Sequence, residues 1–393
     1  MSQVRTGLDH LLAEPEKFLK DKSIGLVVNQ TSVTGDLRHS IPQFKESAQL
    51  TLQKIFAPEH GLYGVEQDMI QVSDSVDPVS GTEVRSLYGD EEQSLFPESI
   101  RLQGIGHLIF DIQDVGSRYY TFIYTLANCM TVCKKAGINM IVCDRPNPLN
   151  GIAMEGNTVA DPFFSFVGQY PVPNRHGMTV GELARLFNDH FGIGCDLTVV
   201  PMSGWNRSMW FDDTGLPWVP PSPNMPTLST ATVYPGMCLI EGTRLSEGRG
   251  TALPFEQMGA PFIDPHKLSE SLQAENLPGV IFRPHYFKPT FHKWSQETCG
   301  GIQLHVTDRD RLEPFLTGIT VIRAIYNLYP NDFAWRTEPY EFVSDRPAID
   351  LLYGSDHFRE NLLPEGRTLK EIKDTWKEDC EGFEKLRKKF FLY

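Results

Sequence analysis

The chain has 393 residues, 40% of them apolar, which is enough for a substantial buried core and suggests two domains at about 100–200 residues each. Lys and Arg number 36 against 50 Asp and Glu, and the resulting net charge of -14 sets the surface against nucleic acid and anionic membranes. No apolar stretch approaches the roughly 20 residues of a membrane span, and the N-terminus carries charges where a signal peptide needs an apolar core. The expected compartment is the cytoplasm for the chain as it stands, or the exterior if an N-terminal export signal has been removed. The seven cysteines are odd in number and mostly embedded in apolar runs, so they read as reduced core residues. Only Cys129 and Cys133 are spaced like ligands and no second pair follows, so no metal is expected.

In chain order, Leu8–Leu19 has the apolar spacing of a short helix interrupted near Pro15. Ile24–Val28 predicts a buried strand ending in Asn29-Gln30-Thr31. Leu52–Ala57 predicts a second, which runs into Pro58-Glu59-His60-Gly61. Pro58 stops the ladder, Gly61 permits a turn, and a carboxylate and an imidazole are left at a strand's carboxyl end, where α/β proteins bind ligands. The polar, aperiodic segment 62–81 reads as a long loop, functional or mobile. A short strand at Val84–Tyr88 and a short helix at Pro97–Gln103 precede the strand His107–Asp114, which delivers Gln113, Asp114 and then Arg118. A charge in such a run must be paired or stand at the strand mouth. A helix over Tyr119–Lys135, closed by Gly137, leads to the strand Asn139–Cys143 and its cap Asp144-Arg145-Pro146-Asn147-Pro148.

Four strands ending in polar clusters, with helices between, have the βαβ rhythm of an open parallel sheet whose right-handed crossovers put those ends on one edge. Gly104-Ile105-Gly106 precedes a strand and lacks a third glycine, so a nicotinamide site is rejected and no cofactor is expected. Thr179-Val180-Gly181-Glu182 is a capping box opening a helix through Phe191, and Leu197–Met202 is a further strand. Trp205, Trp210 and Trp218 suit packing or a sugar ring, and the stiff run Pro220–Pro226 suits one wall of a pocket. Segment 240–251 places Glu241, Arg244, Glu247 and Arg249 on a glycine-studded loop, fit for anion binding or for pairing with itself. Strands at Val280–Arg283 and Ile302–Val306, with helices from Arg311, Asp345 and Leu369, predict a smaller α+β domain.

Taken together, Phe56–Gly61, Asp111–Gly116 with Arg118 and Tyr119, Asp144–Pro148, Arg175-His176-Gly177-Met178-Thr179, Pro220–Met225 and Glu241–Thr251 resemble the family known as DUF1343. Its characterised members are exo-β-N-acetylmuramidases of the NamZ type, and the match runs nearly end to end, from Gly7 to Tyr393. The resemblance implies an α/β fold with a Rossmann-like parallel-sheet N-terminal domain (1–235) carrying the catalytic residues. It implies a smaller α+β C-terminal domain (236–393) closing the cleft that holds the site. The implied substrate is a small saccharide, a peptidoglycan fragment that loses N-acetylmuramic acid from its non-reducing end. Glu59 matches the glutamate proposed as catalytic in that family, and His60 and Asp114 are expected beside it. The residues expected to bind substrate are Asn29, Gln113, Arg118, Tyr119, Asp144, Arg145, Asn147, Arg175, His176, Asn224, Glu241, Arg244, Glu247 and Arg249.

Glycoside cleavage needs a carboxyl whose pKa is raised by burial to protonate the leaving oxygen, and Glu59 is expected in that role, oriented by His60. The second carboxylate is drawn from Asp114, Asp144, Glu241 and Glu247, unless the substrate's own N-acetyl group replaces it. The lactyl carboxylate of muramic acid requires an arginine, from Arg118, Arg145, Arg175, Arg244 or Arg249, although Arg118 could pair with Asp114 instead. Two other classes fit the same residues: a muropeptide-binding protein without turnover, and a metal-dependent hydrolase using His60, Asp114 and His176.

Overall fold

A computed structural model describes residues 3–393, the side chain of Ile100 excepted, so the first two residues of the expected 1–235 domain lie outside the described residues. The larger sheet has seven strands, β1 (Ser23–Val28), β2 (Thr51–Ala57), β3 (Ser75–Val76), β4 (Glu83–Ser86), β5 (His107–Asp111), β6 (Asn139–Cys143) and β7 (Leu197–Val200). Their order is β3-β4-β2-β1-β5-β6-β7, parallel throughout except for the edge strand β3. Leaving β3 aside, this is the order of a doubly wound sheet with its switch point between β1 and β5.

The central strands are apolar on both faces because helices cover both. Val27, Phe56, Leu108, Phe110, Met140 and Val142 point into one apolar cluster with the helix Phe122–Ala136. Their neighbours in sequence, Leu26, Ile55, Ile109, Ile141 and Cys143, point into the other, with Leu8 and Leu11 of the helix Gly7–Ala13 and Phe44 of the helix Ser40–Lys45. Burial of each such side chain contributes about 1.5–3 kcal/mol. Gly137 ends the Phe122–Ala136 helix in the left-handed conformation expected of it, and the capping box of Thr179 and Glu182 is formed.

The second sheet is antiparallel, in the order β8 (Gln257–Ala260), β10 (Cys299–Val306), β9 (Val280–Phe287). Helix Pro265–Ala274 packs on it, and helix Pro314–Leu328 packs on that helix and on the helix Leu228–Met237. The helix Leu228–Met237, strand β8 and the helix Pro265–Ala274 were not anticipated from the sequence; their apolar residues alternate too briefly between prolines and glycines to set a period.

The apolar core does not break between the two sheets. Phe342 wedges between Tyr88 and Phe166, with ring centroids 5.5 and 6.4 Å away, and Tyr234 packs edge-on against Tyr119 and Tyr120. The Glu155 carboxylate accepts the backbone N–H groups of Phe315 and Leu316 at 3.2 and 2.8 Å, capping a helix that lacks a side-chain cap of its own. Burial pushes the Glu155 carboxyl up to about 7. All seven cysteines are free, six of them buried. Among the described residues, no helix is long and apolar enough to cross a membrane.

Candidate active site

Strand β2 ends at Ala57, and the chain turns through Pro58, Glu59 and His60 into Gly61, which holds a φ of +80°. His60 itself is left-handed, at φ 68°, a conformation unusual for a residue with a Cβ. Its Nδ1 bonds the Glu66 carbonyl at 2.9 Å, which anchors the ring and leaves Nε2 free. Glu59 is only 5% exposed, and its Oε2 accepts a 2.7 Å hydrogen bond from the Thr121 hydroxyl at the N-cap of the Phe122–Ala136 helix. The positive end of that helix favours negative charge at this spot.

Both residues line a cleft of about 470 Å³ whose other walls come from far along the chain: Asp68, Ser222 and Met225, Tyr234, Glu241, Arg249, Tyr340 and Glu341. Glu341 is the unexpected member. It is 5% exposed, and the Tyr88 hydroxyl donates to its Oε2 at 3.0 Å. Burial first, then the Glu59 carboxylate, push the Glu341 carboxyl well above the usual range. Glu341 and Phe342 both have positive φ, 45° and 68°, a strained turn that the Phe342 wedge holds in place. Two buried carboxyls face one cleft, one of them biased by burial and its neighbour toward the protonated form, and glycoside hydrolysis draws on such a pair.

A sequence profile for the N-terminal part of exo-beta-N-acetylmuramidase NamZ matches residues 24–229, and the profile for its C-terminal part matches residues 232–393. The chain belongs to the NamZ family. It is 46% identical over 391 residues to the peptidoglycan beta-N-acetylmuramidase NamZ of Bacillus subtilis (strain 168), a match covering 100% of this chain and 92% of that one. Crystal structures of two DUF1343 family proteins from Bacteroides fragilis superpose with TM-scores of 0.88 and 0.78, at 33% and 30% identity, over 100% of this chain and 99% of theirs. The family resemblance and the α/β fold read from the sequence are both borne out.

Within this NamZ-family cleft, five of the expected residues are brought together: Glu59, His60, Tyr119, Glu241 and Arg249. Arg249 is surrounded by carboxylates. It makes ion pairs with Asp68 at 3.0 Å, Glu241 at 2.7 Å and Glu247 at 3.4 Å, so segment 240–251 largely pairs with itself. Glu241 also accepts from the Tyr340 hydroxyl at 2.7 Å. Burial alone would raise Glu247, yet Lys293, then His292 and Arg249, hold it well below the carboxylate range. The proline-rich run does supply a wall, through Ser222 and Met225, while Asn224 turns away to donate to Gln67 at 2.7 Å.

The remaining expected residues do not line the cleft. Asn29 accepts from Thr31, and Gln113 donates to the carbonyls of Asp114 and Pro146. Asp114 accepts from the Gly116 N–H at 2.7 Å and lies 3.7 Å from His176, whose Nδ1 accepts from the Met178 N–H. Asp144 is tied to Thr179, Gly181 and Tyr393, and Asn147 to Met178 and Leu149. Arg145 forms a buried two-pronged pair with Asp111, at 2.7 and 2.8 Å. These bonds tie up most polar groups at the switch point, where Gln113 and Arg145 line a separate small hollow with Thr31 and Thr34, and the cleft that holds Glu59 opens at the end of β2.

Arg118 does not pair with Asp114. It is fully buried and donates to four backbone carbonyls, of Asn157, Val172, Leu352 and Tyr353, so its role is to stitch the two halves together. Arg175 lies 5.4 Å from the Trp210 ring and donates to the Leu149 carbonyl, and Arg244 pairs with Glu338 on the surface. Trp205, Trp210 and Trp218 are packing residues against Tyr393, the arginines and Phe211. Among the described residues, no group of three or more His, Cys, Asp or Glu side chains is arranged to hold a metal, and His60 stands apart from Asp114 and His176.

Proposed function

We propose that the protein is an exo-acting β-N-acetylmuramidase that releases N-acetylmuramic acid from the non-reducing end of peptidoglycan fragments. The observation that carries this reading is the Glu59–Glu341 carboxyl pair in a cleft with buried walls; membership of the NamZ family supports it. In this proposal the acid is Glu341 rather than Glu59, the residue expected in that role from the sequence. Burial beside the Glu59 carboxylate biases Glu341 toward its protonated form, and it delivers the proton to the departing N-acetylglucosamine oxygen as the C1–O bond breaks. Glu59, bonded to Thr121 at the helix N-terminus, presents its carboxylate to the developing oxocarbenium ion. Water then adds at C1, and its proton returns to the carboxyl pair.

His60 orients the substrate beside Glu59. The Tyr120 hydroxyl, buried on the cleft wall beside Ser222, is placed to donate to a sugar oxygen. The test is product analysis by mass spectrometry on a disaccharide of N-acetylmuramic acid β-1,4-linked to N-acetylglucosamine. Free N-acetylmuramic acid is expected from wild type and not from Glu59→Gln. Binding of the disaccharide without release by wild type would replace this reading with that of a muropeptide-binding protein.

A further inference from the structure

The cleft has a charge problem that the substrate must solve. Glu59, Asp68 and Glu241 line it, and its one guanidinium, Arg249, is already shared among three carboxylates. A substrate that carries its own carboxylate, as muramic acid does, therefore meets inside a cation whose charge three carboxylates already outweigh. Lys293 is spent likewise, on Glu247 and three backbone carbonyls.

Beside the cleft lies a second hollow of about 760 Å³, open to solvent and walled by Thr243, Arg244, His292, Lys293, Trp294, Arg336 and Glu338. The two share a partition. His292 stands 3.7 Å from Asp68 on the cleft side, and the Arg336 guanidinium lies 5.1 Å from the centre of the Tyr340 ring, whose hydroxyl reaches Glu241. Arg244 is occupied by Glu338. Arg336 is not occupied: its contacts are the Pro339 carbonyl at 3.2 Å and the Met69 sulfur at 3.5 Å, and it makes no ion pair among the described residues. Stacked on an aromatic face and half-buried, it has a fork of donors fixed in direction that bonds no carboxylate among the described residues, although its charge reaches Glu338 on the same wall.

We infer that this hollow is a carboxylate subsite in which Arg336 receives the acidic group of the substrate. The inference rests on the function proposed above and names how the site selects muramic over plain N-acetylglucosaminyl ends. The carboxylate has two possible sources, the lactyl group on the sugar or the C-terminus of a peptide stem attached to it. The recognising chemistry is the same for both, a bidentate guanidinium–carboxylate contact.

The test measures kcat and KM for wild type, Arg336→Ala and Arg336→Lys on three disaccharides: with a free lactyl carboxylate, with that group as a primary amide, and with it joined to a dipeptide. Wild type should prefer the carboxylate to the amide. Arg336→Ala should raise KM on the carboxylate roughly 10- to 100-fold, leave kcat within a few-fold, and bring the carboxylate-to-amide preference close to one. Arg336→Lys, which keeps the charge without the fork, should fall between. If the loss in Arg336→Ala is largest on the dipeptide substrate, the stem is the source; if on the free lactyl form, the sugar is. Equal KM changes on all three substrates, or none, would overturn the subsite. The Arg336 backbone N–H still bonds Gly242 in the variants, and a matching Tm checks the fold. If wild type turns over none of the three, the function proposed above fails instead. Calorimetric binding of N-acetylmuramic acid and its lactyl amide then decides the subsite alone: an Arg336-dependent preference for the acid supports it, and no preference overturns it.

Discussion

Replacing Glu341 with glutamine preserves the shape of the protonated acid and the contact with the Tyr88 hydroxyl, and removes only the proton that can be given away. General acid assistance contributes roughly 10²–10⁴-fold, so release of N-acetylmuramic acid from the natural disaccharide should slow by about that factor. A nitrophenyl muramide needs no such help, because its leaving group departs as a stable anion, and Glu341→Gln should cleave it within a few-fold of wild type. Glu59→Gln should be slow on both. Stability supplies a second readout. The folded Glu341 holds its proton more tightly than the unfolded one, so the wild type loses stability as pH rises from the ordinary glutamate pKa toward the raised one, at about 1.4 kcal/mol per pH unit within that window. Glutamine abolishes that slope, so the variant should match wild type near pH 4 and gain on it with rising pH. The assignment is refuted if Glu341→Gln loses equally on both substrates, or if Glu59→Gln is the variant rescued by the better leaving group.

Tyr88→Phe removes a hydrogen bond that favours the ionised form of Glu341, so the alkaline limb of the kcat/KM profile should move to higher pH; a move to lower pH would contradict the contact. Arg249→Met leaves Asp68, Glu241 and Glu247 without their shared cation, and breaking such a buried network should cost about 3–5 kcal/mol in chemical denaturation; a loss under about 1 kcal/mol would show that the network relaxes. Asp144 and Glu155 are both pushed up to about 7, chiefly by burial, so their contribution to stability is complete at pH 4 and is lost as pH rises through 7. Replacing both, as Asp144→Asn with Glu155→Gln, should flatten the pH dependence of Tm between pH 5 and 8, and an unchanged slope would count against those two carboxyls.

Much of the framework was legible because it rests on local signals. The apolar runs at Ile24–Val28, Leu52–Ala57 and Asn139–Cys143 are strands, and Gly137 and the Thr179–Glu182 box bound helices as their chemistry requires. Glu59 and His60 were legible as polar residues left where a strand stops. The other strand ends were misjudged for a physical reason. Asn29, Gln113, Asp144 and Arg145 do gather on one edge, but most of their polar groups are taken up by Thr31, Asp111 and nearby backbone, which no spacing reveals. Glu341 escaped notice because it lies in an irregular segment with no period. Its one local mark is a carboxyl between two aromatics, Tyr340 and Phe342, and its partner stands 282 positions earlier in the chain. Arg336 escaped for the same reason: its value lies in lacking a partner, and that is a property of the folded neighbourhood.

The stitching between the halves has a practical side. A chain cut where the two family profiles meet, between residues 229 and 232, would yield fragments that cannot stay apart in water. One would lay bare Tyr119, Tyr120 and Phe166 and deprive the sunken Arg118 guanidinium of the Leu352 and Tyr353 carbonyls. The other would expose Tyr234 and Phe342 and leave the first turn of the Pro314–Leu328 helix without Glu155. Sticky aromatic strips of this kind drive self-association. Expressed singly, each fragment should collect in inclusion bodies; expressed together, the two have matching faces through which to find each other, and muramidase turnover would report their reunion.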